Sequence, residues 1–152
     1  MRRDICKIIK RISDHSTQYI LELWDDNSIY PNGFAVDSST GNIYYTAVTY
    51  TEYVTRVQSH IGVLLPNGKH KVILTRLNFP HGLVVYPSKG LLFYINIGPK
   101  TYIGRANMDG TQASVLLDIS NDRWPIELTI DYKMRTNDPE LVVAFDSYNV
   151  GI

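Results

Sequence analysis

A single cysteine, Cys6, stands among the 152 residues, so no disulfide forms within the chain. Stability must come from a buried core, and a chain of this length can build one. Scarce cysteine is the rule in the cytosol, although one module cut from a secreted protein reads the same way. No Asn-X-Ser/Thr sequon occurs, so glycosylation gives no sign of secretion. Long apolar runs are missing too. The piece at 5–9 is broken by Lys7; it is too short for a signal-peptide core, and nothing later approaches a membrane span. Neither sign of charge prevails, since 15 basic residues meet 15 acidic ones. That balance, with the basic residues scattered, leaves no general pull toward nucleic acid or an anionic membrane.

The signatures of catalysis are also missing. There is no Gly-X-Ser-X-Gly, His-Glu-X-X-His, P-loop or dinucleotide fingerprint. No catalytic residue, metal site or cofactor is therefore expected. His15, His60, His70 and His81 are well separated. His81 holds a strand-entry position that Asn32 holds in an earlier phrase, which favours packing or a turn over pH sensing. The doublet Asp25-Asp26 lacks the spaced ligands of a cation loop and reads as a solvated turn.

What the chain does have is tyrosine, 11 of 152, which favours strands and amphipathic contact surfaces. Tyr44, Tyr45, Tyr50 and Tyr53 gather around one strand and the loop after it, and Tyr50 and Tyr53 are candidate ligand contacts. The chain also has repetition. "YPNGFAVDSSTGNIYYTA" from Tyr30, "FPHGLVVYPSKGLLFYIN" from Phe79 and "WPIELTIDYKMRTNDPELVVAFD" from Trp124 each open on an aromatic residue and a proline. Each runs into an alternating strand, a polar turn and a second strand. Pro31, Pro80 and Pro125 lie 49 and 45 residues apart. "NIYYT", "LLFYI" and "LVVAF" are apolar on both faces, which suits strands buried between layers.

Between the phrases lie two hairpins, "GVLLPNGKHKVIL" turning at Asn67-Gly68 and "GRANMDGTQASVLL" turning at Asp109-Gly110. The N-terminus offers a worn third copy: Ile9-Lys10-Arg11 is similar to Ile103-Gly104-Arg105, and "TQYILEL" reads as the return strand. Ile5, Ile8, Ile9 and Ile12 equally fit a basic amphipathic helix of barely two turns. A period of about 42 to 49 residues with four short strands is the signature of propeller blades. The expected fold is all-β, a partial β-propeller of about three four-stranded antiparallel blades. Residues 1–8 are expected to be an N-terminal extension, and 9–152 the propeller, with units at about 9–47, 61–96 and 103–146.

These phrases resemble the class B repeat of the low-density lipoprotein receptor family. The pattern is a Pro-X-Gly strand entry closed by an acid, then Tyr-Trp-Thr-Asp, then Ile-X-Arg-Ala-X-Met-Asp-Gly. "IGRANMDGTQASVLL" at 103–117 matches best, through Ile103, Arg105, Ala106, Met108, Asp109 and Gly110. The entry pattern matches at Pro31, Gly33 and Asp37, at Pro80 and Gly82, and at Pro125 and Asp131. The aromatic pattern survives as Tyr44-Tyr45-Thr46-Ala47, as Phe93-Tyr94-Ile95-Asn96, and as Val143-Ala144-Phe145-Asp146. Its closing aspartate is kept only at Asp146. The resemblance implies that this residue joins neighbouring blades, so two joints are expected to be weaker. Recurrence of Asp37 and Asp131 at one repeat position points to a structural turn bond rather than a catalytic carboxylate.

The resemblance implies six blades in a ring, an extracellular or membrane-receptor ectodomain, and a surface that holds protein ligands. In that family, propeller histidines also take part in acid-triggered release. Membrane attachment would come only through flanking segments. Three units are half a ring, so the chain is expected to be a partial product of an endocytic or signalling receptor. It should be a poor monomer that needs a protein partner or the missing blades. An alternative is a six-bladed lactonase or strictosidine-synthase-like enzyme, whose strands also begin Pro-Asn-Gly and in which Asn32 would be a metal ligand.

Overall fold

Each proline phrase folds as an antiparallel hairpin, and the two Asn-Gly and Asp-Gly hairpins complete two of them as sheets. The computed structural model describes residues 6–11, 17–23, 29–49, 59–120, 124–131 and 140–145. In chain order the strands are β1 Cys6–Arg11, β2 Thr17–Leu23, β3 Ile29–Val36, β4 Ile43–Thr49, β5 Ser59–Leu64, β6 His70–Leu77, β7 Phe79–Tyr86, β8 Leu91–Ile97, β9 Tyr102–Asn107, β10 Ser114–Asp118, β11 Pro125–Asp131 and β12 Glu140–Phe145. They form two four-stranded sheets, β3-β4-β5-β6 and β7-β8-β9-β10, and two hairpins, β1-β2 and β11-β12. Every pairing is antiparallel. Among the described residues the one helical element is a 3-10 turn, Pro87–Lys89. This is a partial β-propeller.

The two-faced apolar strands find cover on both sides. In β7 and β8, Leu83, Val85, Leu92 and Tyr94 pack into one cluster with Tyr44, Ile61 and Val63 of the preceding sheet. Their alternating neighbours Val84, Phe93, Ile95 and Ile97 pack into a second cluster with Leu128 and Ile130 of β11. The innermost strands β3, β7 and β11 lie side by side. Gly33 and Gly82 allow that approach: a Cβ on Gly33 would lie 3.4 Å from the His81 carbonyl oxygen, and one on Gly82 3.1 Å from the Leu128 nitrogen.

The N-terminal segment is a strand, not a helix. Because β1 begins at Cys6, the expected extension 1–8 overlaps the first hairpin. The sheets are also phased differently from the expected units 9–47, 61–96 and 103–146, since each sheet opens at a proline phrase. A period in sequence sets which strands recur but not where a sheet is cut. The register corrects one alignment as well. Phe145, not Asp146, stands opposite Pro125, as Ala47 stands opposite Pro31 and Asn96 opposite Pro80. Asp146 itself lies outside the described residues.

Bulges mark the two kinds of hairpin. Register shifts follow the proline in each inner pair, at Pro31/Gly33, Pro80/Leu83 and Pro125/Glu127. In the outer pairs β5-β6 and β9-β10 the bulge falls on Ile73 and Leu116, beside Ile61-Gly62 and Ile103-Gly104. The hairpin β1-β2 carries the same bulge at Ile20, beside Ile8-Ile9. The two turns expected to match do so: Gly68 and Gly110 take φ of +80° and +87°, and each donates its N–H three residues back, to Leu65 and Asn107.

Within both complete sheets a tyrosine ring covers a glycine across the strands. Tyr45 stands opposite Gly62 and Tyr94 opposite Gly104, and a methyl group on either glycine would overlap the ring. Gly104→Ala should therefore destabilise the chain by about 1–3 kcal/mol through overpacking. The reading is the urea midpoint, and in a Tyr94→Val background the cost should shrink. An equal cost in both backgrounds would place the strain elsewhere.

Candidate binding surface

The two ends of the sheets differ in character. At one end the strands are joined by tight polar turns whose side chains serve the backbone. Asp37 is buried; its Oδ1 accepts from the Ser39 N–H at 2.9 Å and the Ser39 hydroxyl at 2.6 Å, while Oδ2 accepts from the Thr40 hydroxyl at 2.6 Å. These bonds, the Ser39 hydroxyl first, hold its carboxyl below the ordinary value of 3.8. Asp109 does the same work, accepting from the Thr111 N–H and hydroxyl at 2.9 and 2.6 Å. Asp131 closes β11 at this end.

The opposite end gathers the strand entries of the proline phrases and the longer connections. The chain passes from the first full sheet to the second through Asn78, and its peptide is clamped on both sides. Asn96 Oδ1 accepts from the Asn78 N–H at 2.9 Å, and the Ser59 hydroxyl donates to the Asn78 carbonyl at 2.6 Å. Asn96, fully buried, thus ties the two sheets at the position where an aspartate was expected. Ala47, at the equivalent position, offers no acceptor. Asn32 donates its amide to the Pro80 carbonyl at 3.3 Å and so ties β3 to β7.

This end also carries rings. His81 meets Phe79 edge-on at 6.5 Å, and its buried Nδ1 has no hydrogen-bond partner among the described residues. Tyr45 meets His60 edge-on at 6.0 Å. Trp124, at the entry to β11, is 59% exposed. The β4-β5 connection, 50–58, holds Tyr50 and Tyr53, which lie outside the described residues, as do His15 and Asp25-Asp26. Trp124 was visible in the sequence only as the opening residue of a phrase; the register of β11 makes it a surface residue at this end.

The remaining motif residues are architectural. Tyr44, Ile103 and Ala106 lie in the core, with Met108 against it. Thr46, Tyr45, Pro80 and Pro125 are fully buried, while Arg105 is exposed. No group of three His, Cys, Asp or Glu side chains converges among the described residues.

No protein-family model matches the chain. The vitellogenin receptor of Drosophila melanogaster is 33% identical over 103 residues, which cover 66% of this chain and 5% of that protein. A human low-density lipoprotein receptor-related protein 5-like protein is 31% identical over 103 residues, covering 66% of this chain and 37% of that protein. Over that stretch the chain is a homologue of receptors of the low-density lipoprotein receptor family. The vitellogenin receptor of Solenopsis invicta is 28% identical over 102 residues, 66% of this chain and 5% of that protein. A solved nidogen/laminin complex overlays with a TM-score of 0.46 at 17% identity, covering 80% of this chain and 59% of that one. The chain thus spans 5% and 37% of the first two receptors it matches, and it is a receptor-type propeller segment. No helix among its described residues is long and apolar enough to cross a membrane.

Two pH responses follow from the titrating groups. Burial, with His70 second, holds His60 below its ordinary 6.5. A lowered folded value means stability present above about pH 6.5 and lost as pH falls toward that lowered value. Urea midpoints should drop between pH 7.5 and 5.0, and His60→Gln should flatten that drop. Asp37 acts further down: its stabilisation is present above about 3.8 and is lost as pH falls through the lower folded value. Asp37→Ala should cost about 1–2 kcal/mol at neutral pH, and the variant's acid limb should be shallower than the parent's.

Proposed function

We propose that the chain holds a protein ligand, as a propeller segment of an endocytic or signalling receptor displayed outside the cell. The observation that supports this most is the asymmetry of the two sheet ends. One is closed by turns whose polar side chains are engaged by their own backbone. The other presents Trp124, 59% exposed, with Phe79 and His81 half-buried at the same end; Tyr50 and Tyr53 are proposed to join it from the β4-β5 connection. Exposed aromatic side chains on a rigid sheet edge are the usual anchors of protein interfaces. For the alternative, a lactonase-like enzyme, Asn32 would be a metal ligand; its Nδ2 donates to the Pro80 carbonyl and ties two blades, a structural role that accounts for the residue without a metal. The chain is accordingly read as non-enzymatic.

The relatives' names supply a probe, purified vitellogenin. Immobilised chain should bind it at neutral pH. Trp124→Ala and the pair Tyr50→Ala, Tyr53→Ala should each weaken binding at least tenfold, the scale of an interface hot spot. Lys71→Ala, on β6 toward the opposite end, should leave binding unchanged. Binding that ignores all three aromatic substitutions, or lactone hydrolysis that Asn32→Ala abolishes, would overturn the reading.

A further inference from the structure

An asparagine amide is most readily lost when glycine follows, because no side chain shields the nitrogen that attacks it. The sequence holds two such pairs, Asn32-Gly33 and Asn67-Gly68. The dipeptides are identical, and their surroundings are not. Asn67-Gly68 lies in the turn between β5 and β6, where residues 66–69 are all exposed. Gly68 has φ of +80°, and nothing stands within 4 Å of the place a Cβ would take. Two bonds hold the turn: the Gly68 N–H donates to the Leu65 carbonyl at 2.9 Å, and the Lys69 N–H donates to Asn67 Oδ1 at 3.0 Å. An exposed turn held so lightly opens at little free-energy cost.

Asn32-Gly33 sits instead within β3, at the bulge where that strand pairs with β4. Asn32 is half-buried, and its Nδ2 donates to the Pro80 carbonyl at 3.3 Å. A Cβ on Gly33 would lie 3.3 Å from Thr46 Oγ1 and 3.4 Å from both the His81 carbonyl oxygen and the Leu83 nitrogen. To bring its Cγ onto the Gly33 nitrogen, Asn32 must release Pro80 and loosen the contact of β3 with β7. Asp109-Gly110 could close the same ring, but it is restrained in another way. A Cβ on Gly110 would overlap the Ile73 carbonyl, so this turn is seated on the blade before it. The Thr111 hydroxyl and N–H also keep the Asp109 carboxyl ionised, and a carboxylate offers no neutral leaving group.

We propose that Asn67 is a site of spontaneous deamidation in the folded chain, and that the joint between blades protects Asn32. Hydroxide takes the Gly68 N–H proton, and the nitrogen attacks Asn67 Cγ. The N–Cγ bond forms, the Cγ–Nδ2 bond breaks, and Nδ2 takes a proton from water and leaves as ammonia. One water then opens the succinimide at either carbonyl. Breaking N–Cγ restores the main chain and leaves aspartate at position 67. Breaking the nitrogen's bond to the main-chain carbonyl leaves isoaspartate, whose main chain is one methylene longer. The turn suits the first product. Asp109 holds the equivalent place in the next blade, its Oδ1 accepting from the Thr111 N–H at 2.9 Å as Asn67 Oδ1 accepts from Lys69. Lys69 and Lys71 stand close in sequence to the new negative charge. The longer product cannot keep both bonds of the turn, so the β5-β6 hairpin loosens.

The folded chain should be held in mildly alkaline buffer, digested at acid pH and read by tandem mass spectrometry. Asn67 should lose its amide at least about tenfold faster than Asn32, at a rate that rises with pH. In chain unfolded with urea the two rates should converge. Asn67→Asp should keep the parent's urea midpoint, and fractions carrying isoaspartate should unfold at lower urea. Equal rates in the folded chain, a faster Asn32, a ratio that survives unfolding, or a lowered midpoint for Asn67→Asp would each overturn the proposal. The turn lies at the end opposite the proposed binding surface, so this proposal and the functional one fail separately.

Discussion

An antiparallel sheet that is apolar on both faces is stable only when both faces are covered, and the molecule is organised around that requirement. The sheet β7-β10 meets it, with Leu83, Leu92 and Tyr94 against the blade before and Phe93, Ile95 and Leu128 at the joint after. Burial of each such side chain contributes roughly 1.5–3 kcal/mol, so the joint between blades matters as much as pairing within them. The outward-facing sides of β3 and β10 have the same character without the same cover.

Polar groups then refine what burial begins. The crossover at Asn78 is a single bent residue between an outer and an inner strand, and its N–H and carbonyl need partners from beyond the residue itself. Asn96 and Ser59, from two different sheets, take one each. That arrangement fixes the second blade against the first at the end where the aromatic side chains collect. The opposite end needs no such tie, because Asp37, Asn67 and Asp109 close their turns locally.

Much of this was legible in the sequence. Period-two alternation, the Asn-Gly and Asp-Gly turns, and the recurrence of Pro31, Pro80 and Pro125 carry the strands and their order. What was not legible has specific causes. A repeat has no phase, so the cut between sheets fell elsewhere. Bulges shift register by one residue without any residue type that announces them, which is why Asp146 was placed where Phe145 stands. Asn96 was read only as a replaced aspartate; the backbone amide it accepts from leaves no trace in sequence. Of the proposed contact residues, Tyr50 and Tyr53 came from clustering. Trp124 needed the register of β11.

The tyrosine-over-glycine pairs carry a further consequence, for how the strands find one another. A one-residue slip between β8 and β9 would turn every side chain to the wrong face. A two-residue slip preserves the faces, and alternation alone does not reject it. Here Tyr94 has a seat only above Gly104; shifted by two in either direction it meets Tyr102 or Ala106, which carry side chains. The pair works as a key that admits one alignment, and the same key is cut again at Tyr45 and Gly62. Each blade thus carries its own check on register.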